Sequence, residues 1–167
     1  MSSRPALTMT VPLEVGIGCR DLAAMRHFYE RVLGLEFIGE ARVPPLTAQN
    51  YRLASGSATV VRLQTPFGER IKLIAPDAPV PLPARHPVHV FDAPNAMYLT
   101  FIIRDILAVT TRVLAQGGQA MSGPEPIESR PGLFVVFLRD PEGNVLELVQ
   151  YHDVAAYRPD LHQMLPR

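Results

Sequence analysis

Residues 13–35, LEVGIGCRDLAAMRHFYERVLGL, and residues 97–118, MYLTFIIRDILAVTTRVLAQGG, follow one plan. Each opens on a short β-type run, passes through Arg-Asp into an apolar pattern of helical period, and stops at glycine. Asp21 and Asp105 stand where an N-cap belongs, offering side-chain oxygens to the free N–H groups of a first helical turn. Leu22, Met25, Tyr29 and Val32 share one face of the first predicted helix; Ile106, Val109 and Val113 share one face of the second. Gly34 and Gly117 are placed to end them. The two caps lie 84 residues apart in a chain of 167, so two copies of one module account for most of the molecule.

β signals after each helix complete the modules. In the first half they are LEFIGEAR (35–42), SATVVRLQ (57–64) and RIKLIA (70–75). In the second they are a strand near 119–121, then LFVVFLR (133–139) and NVLELVQ (144–150) joined by the turn sequence DPEG. Each half therefore reads βαβββ, module one over about 12–75 and module two over about 96–151 of an expected single domain, 1–167. The segment 76–95 between them is too proline-rich for a helix or central strand and is expected to be a semi-extended linker. The tail, 152–167, is expected to add one or two helical turns.

Charge and hydropathy narrow the partners. Sixteen basic and sixteen acidic residues cancel without a Lys/Arg cluster, which argues against nucleic acid or an anionic membrane as ligand. The start, MSSRPALTMT, has no apolar signal region, and no run approaches the roughly 18 apolar residues of a membrane span. The single cysteine, Cys19, excludes an internal disulfide, fits a cytoplasmic protein, and falls on the apolar face of the first strand with Leu13, Val15 and Ile17.

The pair of motifs RDLAAMRHFYERVLGL and RDPEGNVLEL resembles the vicinal oxygen chelate superfamily over roughly residues 12–151. That group contains glyoxalase I, methylmalonyl-CoA epimerase, extradiol dioxygenases and the bleomycin- and fosfomycin-resistance proteins. The resemblance implies an α+β fold of tandem βαβββ modules, whose curved sheets enclose a funnel, and a homodimer. In metal-using relatives one position on the first strand and one on the last strand of each half point into the funnel. The first-strand position lies seven residues before the capping Asp and is usually His; here it is Glu14 and Tyr98. The last-strand position is Glu147 in the second half and, by aligning RIKLIA on VLELVQ, Lys72 in the first.

That set is a poor metal site. A lysine ammonium only donates and repels a cation, and a neutral phenol is a weak ligand. No cofactor is expected, although two carboxylates leave a divalent ion conceivable. The carboxylate of Glu147 lies within an apolar strand sequence, where an unpaired charge is costly to bury. Lys72 is the expected partner, an internal cation in the place of the ion. Glu14, Gly16 and Gly18 alternate with the apolar residues of the first strand, so the glycines leave room for a ligand beside Glu14.

Other candidates are weaker. HPVH (86–89) carries two histidines three apart, but its prolines deny it the helix that would let them share a metal, and it is expected to be solvated linker. His27 is expected on the partly exposed side of the first helix. Arg130, in a segment ESRPG (128–132) that relatives use as a mobile loop, is a candidate for steering a carboxylate or phosphate group. His152, after the last strand, and Tyr51, in the long apolar connection 40–56, are further candidate substrate contacts. Val43, Leu46 and Leu53 of that connection are placed to wall the funnel or meet a neighbouring subunit.

Two functions fit. One is a metal-independent lyase, isomerase or epimerase acting on a small oxygenated metabolite. Glu147 or Glu14 is then the base, Lys72 the stabiliser of developing negative charge, and Tyr98 a hydrogen-bond donor. The alternative is a non-catalytic protein of the drug-resistance type that sequesters a small molecule.

Overall fold

The computed structural model describes residues 9–54, 56–78, 81, 86–92 and 94–161. The chain divides into two compact units, residues 1–81 and 82–167, so the boundary falls inside the proline-rich segment.

The first unit begins with β1 (Glu14–Gly18) and α1 (Leu22–His27), which is capped by Asp21 accepting from the Ala24 N–H at 3.0 Å. The helix does not run on as α. Over Phe28–Val32 it widens to i→i+5 hydrogen bonding, ending with the Leu33 N–H on the Phe28 carbonyl at 3.0 Å. Of the predicted stripe, Met25, Tyr29 and Val32 are buried and Leu22 is half-buried, while Phe28 joins the buried face. Then come β2 (Glu36–Val43), α2 (Pro45–Asn50), β3 (Ala58–Gln64) and β4 (Arg70–Pro76). The connection 40–56 is thus shorter than the sequence pattern implies, because β2 extends to Val43 and Pro44-Pro45 starts a helix. The sheet order is β1-β4-β3-β2, with β1 parallel to β4 and the other pairs antiparallel. Ile17, Val61, Leu63, Ile71 and Leu73 are buried on the face that receives α1.

The second unit repeats the plan with β5 (Tyr98–Ile102), α3 (Ile106–Ala115), β6 (Gln119–Ala120), β7 (Ile127–Arg130), β8 (Leu133–Arg139) and β9 (Val145–Tyr151). Asp105 caps α3 by accepting from the Ala108 N–H at 2.9 Å. The order is β5-β9-β8-β6, β5 parallel to β9, with β7 also on β8. β7 corrects the sequence reading of 128–132 as a loop: Arg130 lies on a strand, and Pro131-Gly132 turns it into β8. The tail forms α4 (Val154–Tyr157) and a 3₁₀ turn, Pro159–Leu161; its remaining residues lie outside those described.

The DPEG turn is built on Asp140, which is fully buried. Its Oδ1 accepts from the backbone N–H groups of Glu142 at 3.0 Å and Asn144 at 2.9 Å, and its Oδ2 from the Asn144 amide at 2.8 Å. Gly143 takes φ +94°, and the His86 ring occupies the space a Cβ would need there. The Arg139 guanidinium donates to the carbonyls of Gly143, at 3.0 Å, and of Pro87. HPVH is therefore not plain solvated linker: His86 and Pro87 pack on this turn, while His89 remains exposed beside Asp92. Cys19 is buried as expected, but Leu13 of the same predicted face is exposed.

Candidate functional site

Strand register shows that the four positions inferred for the site come from equivalent places in the two halves. On the parallel pair of the first unit, Lys72 stands opposite Gly16 and Arg70 opposite Glu14. On that of the second, Glu147 stands opposite Thr100 and Val145 opposite Tyr98. Side chains of directly paired residues share a sheet face. Each half thus presents a row across its sheet on the face away from its first helix: Gly16, Lys72 and Arg62 in one, Thr100, Glu147 and Phe137 in the other.

In the first unit Glu14 is the shared anion. Its Oε2 is 3.4 Å from the Lys72 ammonium and its Oε1 is 3.5 Å from the Arg70 guanidinium. Arg70 is oriented by donating from Nε to the Gln64 Oε1 at 2.8 Å. The side chains of Glu14 and Lys72 are 29% and 33% exposed, so this is a solvent-reached cluster rather than a sealed salt bridge.

In the second unit Thr100 Oγ1 donates to Glu147 Oε2 at 2.6 Å, a short bond of the kind carboxylates form with hydroxyls. Glu147 is half-buried, and each carboxylate finds a partner in its own half: Lys72 with Glu14, Glu147 with Thr100. Aromatic rings stand beside it. Tyr98 packs edge-on to Phe137 at 5.4 Å between centroids and tilts against Phe91 at 6.1 Å. Tyr98 lends no hydroxyl hydrogen bond to any described residue. Tyr151, at the end of β9, stacks on Tyr157 at 4.0 Å. Burial first, and then the neighbouring Tyr157 hydroxyl, push the Tyr151 phenol above its ordinary value, and the negative charge of Glu147 adds to the rise while Arg130 opposes it.

Arg130 falls on the same face as Glu147, since it pairs with Leu133, which pairs with Tyr151. His152 is exposed and its N–H donates to the Gly132 carbonyl at 2.7 Å, which ties it to the β7–β8 turn. Tyr51 caps the C-terminus of α2, is 70% exposed, and makes no side-chain hydrogen bond to the described residues. Thr100, Arg62 and Arg70 went unnoticed in the sequence reading. Strand alternation carries the signal for each: Thr100 lies two residues from Tyr98, Arg70 two residues before Lys72, and Arg62 across from Lys72 on the neighbouring strand.

The donor set does not fit a divalent metal. An ammonium ion-paired to Glu14 holds one of the family's four ligand positions, and an aromatic phenol packed on Phe137 holds another. Among the described residues no three His, Cys, Asp or Glu side chains gather as ligands.

Two βαβββ repeats, each closing a parallel pair between its first and last strands, define a tandem α+β protein of the glyoxalase type. The family model of the Glyoxalase/Bleomycin resistance protein/Dioxygenase superfamily matches residues 12–148, and the chain belongs to that superfamily. No curated protein matches it. A glyoxalase family protein from Bacillus cereus is similar in structure with a TM-score of 0.72 and 23% identity, over 90% of this chain and 98% of that one. A glyoxylase/bleomycin resistance protein/dioxygenase domain from Frankia sp. EAN1pec gives a TM-score of 0.59 at 18% identity, over 89% and 95%. A glyoxalase family protein from Enterococcus faecalis gives 0.57 at 19%, over 84% and 96%. At these identities the likeness is one of fold.

Proposed function

We propose that this chain acts on a small oxygenated metabolite by metal-independent lyase, isomerase or epimerase chemistry, with Glu147 as general base. The observation that carries the reading is the Thr100–Glu147 hydrogen bond on an aromatic-lined sheet face. Thr100 occupies Oε2 and fixes the carboxylate, while Oε1 takes no hydrogen bond from the described residues and is available to a substrate proton. Glu14 is the weaker candidate base, because two cations already engage it.

Removing a proton beside a carbonyl moves the C–H electron pair toward the carbonyl oxygen as an enolate. Glu147, then protonated, returns the proton to a different face or carbon, or a leaving group departs from the neighbouring carbon. Tyr98, whose hydroxyl has no hydrogen-bond partner among the described residues, is the donor to the developing oxyanion.

The alternative is a non-catalytic small-molecule binder. It draws on the row of rings Phe91, Tyr98 and Phe137, which suits an apolar or aromatic ligand as well as a reacting one.

A screen of small carbonyl, hydroxy-acid and epoxide compounds against parent and Glu147→Gln separates the two. The enzyme reading expects turnover that Glu147→Gln abolishes while ligand binding stays, and that chelators leave untouched. Equal binding to both proteins with no turnover of any compound establishes the binder instead.

A further inference from the structure

We infer that the first-half sheet carries an anion-binding site centred on Arg62, with Lys72 beside it, that receives a carboxylate or phosphate group of a small ligand. This goes beyond the proposed reaction and holds for either reading of it.

Arg62 lies on β3 directly opposite Lys72 on β4, and on its other side opposite Gly39 of β2. Like charges placed directly across a sheet disfavour that pairing unless something negative meets them. Glu14 does not discharge the row, because it is already shared by Lys72 and Arg70. Glu36, the other carboxylate on this face, sits at the edge strand opposite Gln64 and makes no ion pair with a described residue. The Arg62 side chain has neither a hydrogen bond nor an ion pair with any described residue, although the residue is half-buried. Of the three cations on this face, Arg70 and Lys72 share Glu14, and the Arg62 guanidinium is left without an ion partner among the described residues.

The space is there as well as the charge. The row runs Gly16, Lys72, Arg62, Gly39, so the two cations are bracketed by residues without side chains. A Cβ built on Gly39 or Gly18 meets nothing within 4 Å, and one on Gly16 meets only the tip of Ile74. The strand register shifts between Phe37 and Gly39, a bulge that re-aims the chain beside Arg62. An open floor with a planar five-donor fork next to an ammonium matches the two oxygens of a carboxylate or phosphate.

The probes are inorganic phosphate and acetate, titrated at constant ionic strength into the full chain while the arginine Nε–H and lysine signals are followed by NMR. The expected result is saturable shifts at Arg62 and Lys72 for at least one probe, with binding weakened tenfold or more by Arg62→Met and unchanged by Arg31→Met, a substitution at an exposed side chain of the first helix. Saturation by phosphate alone assigns a phosphate group, by acetate alone a carboxylate, and by both an anion site common to the two. Non-saturating shifts in the parent overturn the inference, as does equal binding by Arg62→Met and parent. Should Arg62→Met fail to fold, the parent titration decides by itself, since shifts confined to other residues also overturn it. Failure here leaves the Glu147→Gln turnover test unaffected, and failure there leaves this one standing.

Discussion

Among single residues, Asp140 holds more of the structure than its position in a short turn implies. Three donors converge on a carboxylate with no solvent exposure. Asp140→Ala strands those donors, and hydrogen bonds to charged groups contribute about 1.5–3 kcal/mol each, so a loss of about 2–4 kcal/mol is expected after partial relaxation. Urea unfolding measures it; a midpoint equal to the parent's contradicts the account. Tyr151 gives a pH dependence of definite sign. Its folded value is raised above the ordinary 10.0, so the folded chain keeps a proton that the unfolded chain releases. Its contribution is therefore fully present below about pH 10 and is lost as the pH rises through the folded value. Ultraviolet titration of phenolate should show Tyr151→Phe losing a step above pH 10, and an unchanged high-pH limb would remove the assignment. The residue scale is also where the sequence was hardest to read. The motif DPEGNVLEL points to Glu147 and the alignment of RIKLIA on VLELVQ points to Lys72, and both lie on the expected strands. Their contacts followed from which neighbour each strand acquired: β1 delivers Glu14 to Lys72, and β5 delivers Thr100 to Glu147. A sequence without pairing register does not state that.

Elements were legible in proportion to how local their causes are. Both N-caps and both helix stops hold, since a cap needs only residues three apart and a stop needs only a glycine at positive φ, +83° at Gly34 and +93° at Gly117. The long strands β3, β4, β8 and β9 match their sequence ranges to within a residue or two because burial imposes their alternation. β7 was missed because every residue in it is exposed, so IESR has no apolar pattern to betray a strand held by β8 alone. α2 was missed for a related reason: six residues with one buried, Ala48, make too short a stripe to show a period.

At the scale of the whole molecule, duplication was plain from the sequence and the division of chemistry between the copies was not. The same backbone positions carry Lys72 and Arg62 in one half, Glu147 and Phe137 in the other. No helix among the described residues is long and apolar enough to cross a membrane. The first half also exposes Leu46 at 69%, Tyr51 at 70% and Leu53 at 44%, a cluster on and after α2. The expected homodimer would use this surface. Light scattering on the parent should give twice the 18.4 kDa chain mass, and Leu46→Glu with Tyr51→Glu should return it to the monomer. A monomeric parent would sink the prediction. The widened turn at Phe28–Val32 has a bearing on chain length. The terminating Gly follows the capping Asp at position +13 in the first copy and +12 in the second, while each ends its helix on glycine in the same backbone conformation. An i→i+5 turn encloses one more residue than an α turn, so the extra residue is taken up as slack inside the helix instead of displacing the strand that follows. The first copy can therefore lose one residue there and still arrive in register, whereas the second, wound as α from Ile106 to Ala115, has none to spare.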